Sequence, residues 1–406
     1  MIKKLNKTSA GNCGSDVRSD CYIEIEFKKS GGIKIDLKSK VDVMYGDSIR
    51  RQINEMCEFF EIKDASILIE DYGALPFVIA ARFEAAMRRF NPSLSKQFLL
   101  PFSTKNKYKT TKEKLRRSRL YLPGNEPKFF LNAGLHMPDG VILDLEDSVS
   151  LAEKDAARLL VRNALRTVNF YGCERMVRIN QLPLGLEDLK YIVPHNVHVI
   201  LIPKCESADQ INQLEVEVNR LVKEYKIKNE IYFMPIIESA LGVIRAFEIA
   251  TASKQNCALA IGLEDYTADI GTQRTNEGKE SIFARSMLIN AAKAAGIQAI
   301  DTVFSDINDM DALRASVIEA KSLGFEGKGC IHPRQIPVVH EAFASKNEEI
   351  EKAKKIVLAF EEAEKKGLGV VSLGSKMIDA PVVKRALKTI DLAILNNQLT
   401  KNWKEE

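Results

Sequence analysis

Between residues 119 and 333 the chain repeats one pattern eight times: a short, apolar, β-rich run followed by a longer amphipathic stretch. The runs are "RLYLPG" (119–124), "GVILDLED" (140–147), "RMVRIN" (175–180), "VHVILIPK" (197–204), "IYFMPIIE" (231–238), "ALAIGLED" (258–265), "AIDTVF" (299–304) and "GKGCIHP" (327–333). Apolar character that is continuous rather than alternating marks strands buried on both faces, as in a parallel sheet. Stretches such as "SADQINQLEVEVNRLVKEY" (207–225) and "ARSMLINAAKAAG" (284–296) supply the crossover helices. Eight such units predict an α/β fold, a (β/α)8 TIM barrel over 115–340. A doubly wound open sheet is the competing architecture, but no glycine-rich phosphate loop follows the first strand.

In a parallel barrel the C-terminal strand ends share one mouth. Charged or polar residues close nearly every run: Asp144, Glu146 and Asp147; Arg178 and Asn180; Lys204 and Glu206; Glu238; Glu264 and Asp265; His332. Packing alone needs no such arrangement. Glu238 and Asp265 end consecutive runs, and two hard oxygen donors with room for water and substrate suit Mg2+. No His or Cys accompanies them, which argues against zinc. The alternative is a helix cap or a structural ion pair.

Arg178 is suited to hold a carboxylate or enolate oxygen by paired hydrogen bonds, or else to bridge to an acid of "DLED". Arg117, beside the first strand, is a second candidate for an anionic substrate group, or else one more member of the basic run around it. Lys204 reads as an ion-paired lysine in an acid-rich substrate mouth. A Schiff-base lysine would need an isolated, desolvated amine. Glu146 and Asp147 read as supports of a metal through water or through its ligands, and His332 as a cap on the helix that follows. Beyond the barrel, Asp379 in "GSKMIDAP" is either a helix N-cap, since a proline follows within the first turn, or a catalytic acid on a lid. Gly374 there suits a tight turn.

The first 92 residues read as a separate small α+β domain. "DCYIEIEFK" (20–28) and "IKIDLKSKV" (33–41) alternate polar and apolar, and the "SGG" between them reads as a hairpin turn. A helix follows over 47–62 with Asp47 as N-cap, then a strand over 65–71 and an Ala- and Arg-rich helix over 75–90. Residues 93–114 read as a solvated, Lys-rich linker, and 341–406 as a C-terminal helical extension or lid.

Lys and Arg (59) barely exceed Asp and Glu (55), and a net charge of +4 over 406 residues speaks against a nucleic-acid binder. No apolar segment is long enough to span a membrane, and "MIKKLNKTSAGNCGSD" has no signal-peptide core. Seven scattered cysteines without CxxC spacing suit a reducing compartment, so a cytoplasmic location is expected.

"RRSRLYLPG", "DLEDSV", "MVRIN", "IPKCES", "IIESALG", "GLEDYTAD", "KGCIHPRQ" and "GSKMIDAP", in this order across 115–390, resemble the citrate lyase β-subunit family of the HpcH/HpaI aldolase superfamily. The resemblance implies a lyase that cleaves a 3-hydroxyacyl thioester carried by CoA or a carrier, citryl thioester giving oxaloacetate and an acetyl thioester. It implies that Glu238 and Asp265 bind Mg2+ and that Arg178 binds the keto-acid portion. It further implies that Asp379 acts on the acyl carbon from a neighbouring subunit, hence a homo-oligomer, in this reading a trimer. A malyl- or citramalyl-CoA lyase and a non-catalytic accessory subunit of a citrate lyase complex are the alternatives. The first domain, through "YGDSIRRQINEM" and "DYGALPFVIAARFEAAMRR", resembles the citrate lyase acyl carrier protein. That family attaches a CoA-derived, phosphopantetheine-type arm to a serine in a segment like "AGTLESSD". Here the segment is "AGNCGSDVRSD" (10–20): Ser15 is the nearest attachment candidate, Gly14 is the alternative occupant of the modified position, Ser19 is a further candidate, and Pro76 stands where the family has Asp.

Overall fold

A computed structural model describes residues 6–365, 367, 370–373 and 376–404. Eight parallel strands close into a barrel: β5 (Ser118–Pro123), β6 (Gly140–Asp144), β7 (Glu174–Arg178), β8 (Val199–Ile202), β9 (Tyr232–Ile237), β10 (Ala258–Ile261), β11 (Gln298–Asp301) and β12 (Gly327–Cys330), with β12 pairing back onto β5. They coincide with the eight expected runs. Alternate residues serve two cores. Ile142, Met176, Leu201, Met234, Ile236 and Ile300 pack inside the barrel with Tyr121, while Leu120, Val141, Leu143, Val177 and Ile200 face the surrounding helices. Burial of both faces is the reason the runs read as unbroken apolar stretches.

The first domain is a four-stranded sheet with two helices. Its strands are β1 (Lys7–Gly11), β2 (Cys21–Phe27), β3 (Ile33–Ser39) and β4 (Ala65–Asp71), in the spatial order β1-β2-β4-β3. This corrects the hairpin reading: β2 and β3 are not neighbours, because β4 inserts between them, antiparallel to β2 and parallel to β3. The physical cause is burial. Ile23 and Ile25 of β2 and Ile67 and Ile69 of β4 are fully buried, whereas β3 exposes Lys34, Asp36 and Lys38 and takes the edge. Strand β1, "KTSAG", lacks a clear alternation and was not expected. Helix α1 spans Asp42–Phe59, so Asp47 lies inside it and is not its cap; at its start the Asp42 carboxylate pairs with Arg50 at 2.8 Å.

Helix α2 (Pro76–Phe90) is buried along nearly its whole length, wedged between this sheet and the barrel helix Lys154–Thr167. Its charged residues are therefore paired. Glu84 meets the fully buried Arg162 at 2.8 and 3.0 Å, and Arg82 meets Asp20 at 2.7 and 2.9 Å. The segment expected to be a solvated linker is instead strapped to the barrel. Asn106 is buried and donates to Val168 O at 2.6 Å, the Tyr108 hydroxyl donates to Cys173 O at 2.7 Å, and Arg116 is sealed against Glu174 at 2.8 Å. Lys105, Lys107 and Lys109 are exposed as expected, whereas Arg116 is fully buried, because its partner Glu174, 58 residues away, is invisible locally.

After the barrel, helices Asn347–Lys365 and Ala380–Leu395 pack on each other with Ile378 and Trp403 in a core of their own. A short hairpin, β13 (Val371–Leu373) and β14 (Lys376–Ile378), joins them, and Gly374 lies outside the described residues. Among the described residues no helix is long and apolar enough to cross a membrane, and the seven cysteines are free.

Candidate active site

The C-terminal ends of the barrel strands enclose a cavity of about 490 Å3, lined by Arg119, Tyr121, Asp144, Arg178, Glu238 and Asp265 among others. Its electrostatics begin with Asp144 and Arg178, neighbours in the strand register at the ends of β6 and β7. The guanidinium donates from Nε and Nη2 to both Asp144 oxygens at 2.7 Å, and Nη1 stands 2.9 Å from Glu146 Oε2 and 3.6 Å from Asp147. Burial draws the Arg178 charge down, but the acids outweigh it and hold the guanidinium above its ordinary range. Asp144 is held low in spite of burial, chiefly by Arg178. Asp144 Oδ1 also accepts from Glu146 N, and the Lys154 ammonium donates to Leu145 O and Glu146 O, so the loop after β6 is fixed from two sides.

Lys204 follows β8 with φ +47°, a left-handed conformation uncommon for a non-glycine residue. Its ammonium lies 3.3 Å from Glu146, 3.6 Å from Asp147 and 3.9 Å from Asp265. Lys204 is thus ion-paired, with partners from the loop after β6 and from the helix after β10. Glu206, its sequence neighbour, instead accepts from Ser239 Oγ at 2.6 Å.

Glu238 leaves the end of β9 and is 5% exposed. Its Oε2 accepts from the Lys204 backbone N–H at 3.3 Å. Burial pushes its carboxyl up to about 8, with Asp265 and Glu146 adding like charge against Arg178 and Lys204. Gly262 makes room for it: a Cβ there would sit 2.7 Å from Glu238 Cγ and Oε1. Asp265 is not itself a strand tip but sits in the first turn of helix Leu263–Asp269, where the helix dipole favours an acid.

The mouth therefore gathers Arg178, Lys204, Glu238, Asp265, Glu146 and Asp147. It does not gather Arg117, which precedes β5 and sits at the opposite, N-terminal end of the barrel. There its guanidinium is held by Asp139 at 2.8 and 2.9 Å and by Asn396. Asp379 does not line the cavity of its own chain; its carboxylate accepts from Val382 N at 3.1 Å as the N-cap of helix Ala380–Leu395. His332 is not the cap of the helix after it, Gln335–Phe343, whose N-cap is Arg334; its Nδ1 accepts from Arg334 N in the turn that precedes the helix. Ser15 is exposed on the loop between β1 and β2. The base of that loop is anchored by Asp20 to Arg82, whose Nη2 also donates to Asn125 O at 3.1 Å, at the rim just past β5. Sequence reasoning passed over Arg119 and Tyr121. The signal was present, since both sit at alternate positions of an apolar run, but Arg119 also ends a string of basic residues and was read with them.

Two family models match the chain. HpcH/HpaI aldolase/citrate lyase covers residues 117–333, and malonate decarboxylase delta subunit (MdcD) covers residues 6–90. The citrate lyase subunit beta of Leuconostoc mesenteroides subsp. cremoris is 43% identical over 288 residues, 70% of this chain and 95% of that protein. The mitochondrial citramalyl-CoA lyase of Homo sapiens is 32% identical over 291 residues, 68% of this chain and 85% of that protein. The crystal structure of CitE from Mycobacterium tuberculosis in complex with magnesium, acetoacetate and coenzyme A superposes with a TM-score of 0.57 at 29% identity, covering 70% of this chain and 99% of that one. On the family model, which spans more than half of the 406 residues, and on relatives aligned over most of their own lengths, the chain belongs to the HpcH/HpaI aldolase/citrate lyase family.

Proposed function

We propose that the protein is a Mg2+-dependent carbon–carbon lyase that cleaves a 3-hydroxyacyl thioester, citryl thioester giving oxaloacetate and an acetyl thioester. The observation that carries this reading is Glu238, a deeply buried carboxyl at the mouth whose ionisation is opposed by burial and by Asp265. Such a pair is relieved by a cation. Among the described residues no three or more His, Cys, Asp or Glu side chains converge into a full metal cage. A site built on Glu238 and Asp265 would leave its other positions to water and substrate, as Mg2+ favours. When bound, Mg2+ would polarise the substrate's hydroxyl and the carboxylate beside it.

This chain's residues then have separate tasks. Arg178, fixed by two hydrogen bonds to Asp144 and drawn toward Glu146 by charge, has five N–H donors of which Asp144 takes two, leaving donors on Nη1 and Nη2 for an enolate or carboxylate oxygen. Glu146 and Asp147 hold Arg178 and Lys204 in place, and Lys204 orients Glu238 through its backbone N–H. Cleavage breaks the bond between the hydroxyl-bearing carbon and the acyl α-carbon. The electron pair passes into the thioester enolate, and the α-carbon takes up a proton while the hydroxyl loses one. Asp379 of a second copy is the proton donor in this reading, which makes the working unit a homo-oligomer, a trimer.

The relatives named as citrate lyase subunit beta and as citramalyl-CoA lyase, with the neighbour crystallised with magnesium and coenzyme A, support a thioester substrate. The carrier-like first domain, matched by residues 6–90, supports delivery on an arm at Ser15 within a cytoplasmic citrate lyase assembly. A citramalyl- or malyl-CoA lyase is the second reading, favoured by the altered "AGNCGSDVRSD" segment. An accessory, non-catalytic role is weakened by the assembled acids at the mouth.

The test is a keto-acid release assay on citryl-, malyl- and citramalyl-CoA, each with Mg2+ and with EDTA, alongside intact-mass measurement for an arm lost in Ser15→Ala. Metal-dependent oxaloacetate release from citryl-CoA is expected. Preference for citramalyl- or malyl-CoA would transfer the protein to the second reading, and silence on all three thioesters in both free and carrier-linked form would overturn both.

A further inference from the structure

The cavity is lined by two cations, and they are treated in opposite ways. Arg178 is enclosed by Asp144, Glu146 and Asp147. Arg119, from β5, has no acid partner among the described residues. It is 1% exposed, its Nε has no hydrogen-bond partner, its Nη1 meets only the Met234 thioether at 3.0 Å, and its Nη2 reaches Asp301 O at a long 3.5 Å. A guanidinium offers five N–H donors in a planar fork and stays charged in proteins. Leaving such a group buried and unpaired is costly, so a position that keeps one needs a reason beyond packing.

Arg119 points into the barrel with Tyr121, and its register neighbours on both sides are glycines, Gly140 of β6 and Gly329 of β12. A Cβ at either would come within 2.6 Å of Met176 or Val303, so neither neighbouring strand carries a side chain at the level of Arg119. The contact with the Asp301 carbonyl places the guanidinium level with the C-terminal end of β11, at the floor of the mouth. Glu238 and Asp265 stand in the same cavity.

We infer that Arg119 is a specificity residue that binds a second carboxylate on the acyl group, the one that distinguishes a citryl thioester from a citramalyl or malyl thioester. The inference rests on the lyase reading above and deepens it. Citryl carries a CH2–COO− group where citramalyl carries a methyl, and the corresponding keto-acid products, oxaloacetate and pyruvate, differ in the same way. The hydroxyl and first carboxylate engage the Glu238 and Asp265 side of the cavity. The second carboxylate then turns inward, where the unpaired N–H fork of Arg119 meets it in a site shielded from water.

The experiment titrates oxaloacetate and pyruvate calorimetrically into the full-length protein with Mg2+ present, for wild type, Arg119→Met and Arg119→Lys, and records thermal melting of each without ligand. Wild type binds oxaloacetate more tightly than pyruvate. Arg119→Met weakens oxaloacetate by on the order of 30-fold and leaves pyruvate essentially unchanged, while Arg119→Lys falls between. Without ligand Arg119→Met melts no lower than wild type, because an apolar chain of similar length replaces a charge that had no partner. Equal weakening of both keto acids, no weakening of either, or a large fall in melting temperature with both affinities lost would overturn the inference and leave Arg119 a structural residue. Wild-type protein that binds neither keto acid would instead sink the lyase reading, and the inference with it.

Discussion

Replacing Glu84 by Ala should cost the protein a large part of its stability while sparing its chemistry. Glu84 is fully buried on α2 and is shared by three donors: Arg162 at 2.8 and 3.0 Å, Arg88 at 2.9 Å, and the Phe98 backbone N–H at 3.0 Å. Arg162 is also fully buried, so the substitution strands a guanidinium where water cannot reach it. Removing one partner of such a pair costs about 3–5 kcal/mol, against a total stability of about 5–15 kcal/mol for a typical chain. Urea unfolding followed by circular dichroism measures the loss. Hydrogen exchange locates it, with the amides of α2 and of helix Lys154–Thr167 expected to lose protection first.

The double variant Glu84→Leu/Arg162→Met should recover most of the loss, since apolar replacement of a buried pair is close to neutral. Recovery stays incomplete because Phe98 N and Arg88 have still lost their acceptor. Glu84 does not line the cavity, so turnover of a CoA thioester by the folded fraction should be unchanged. A cost below about 1 kcal/mol for Glu84→Ala would refute the reasoning, because the pair would then be behaving as a solvated one and the first domain would not be docked on the barrel through α2.

Three further outcomes are expected. Burial, with neighbouring arginines adding to it, holds His195 down to about 2 and His198 to about 3. Below the unfolded value near 6.5 only the unfolded chain takes up these protons, so their contribution to stability is level above about pH 7 and is lost by about 2 kcal/mol per histidine between pH 7 and 5; Glu238, whose raised carboxyl is protonated first in the folded chain, acts in the opposite sense, so the test is made in Glu238→Gln, where urea midpoints that do not fall across that range would contradict this. Gly262→Ala should displace the Glu238 carboxylate, since the new Cβ would lie 2.7 Å from it, lowering Mg2+-supported turnover by about 10–100-fold with little change in melting temperature. Mixing inactive Asp379→Asn and Glu238→Ala chains under subunit exchange should restore activity, and none in verified mixed oligomers would remove Asp379 as a residue acting across subunits.

The eight barrel strands and the crossover helices were legible because their cause is local: most of the runs are apolar on both faces, and that composition shows in a few consecutive letters, while the charges inside β5 and β12, Arg119 and Lys328, are the exceptions. The chain direction of a parallel barrel then sorted Glu238, Asp265 and Arg178 to one mouth. The same rule, applied to Arg117, places it at the opposite end, since it precedes its strand. What the letters did not carry was pairing at a distance. "SGG" suits a hairpin, but β4, some thirty residues later, has the buried face that belongs in the centre of the sheet. The basic stretch 105–119 looks solvated until Glu174 and the carbonyls of the barrel base are brought against it. Arg178 and Arg119 are the same residue type at the ends or interiors of similar runs, yet among the described residues one is neutralised by three acids and the other by none. Residue type and strand period set where a charge points; which charges stand opposite it is decided by barrel closure, because only closure brings residues from different strands to within the few ångströms over which a buried charge is paired or left alone.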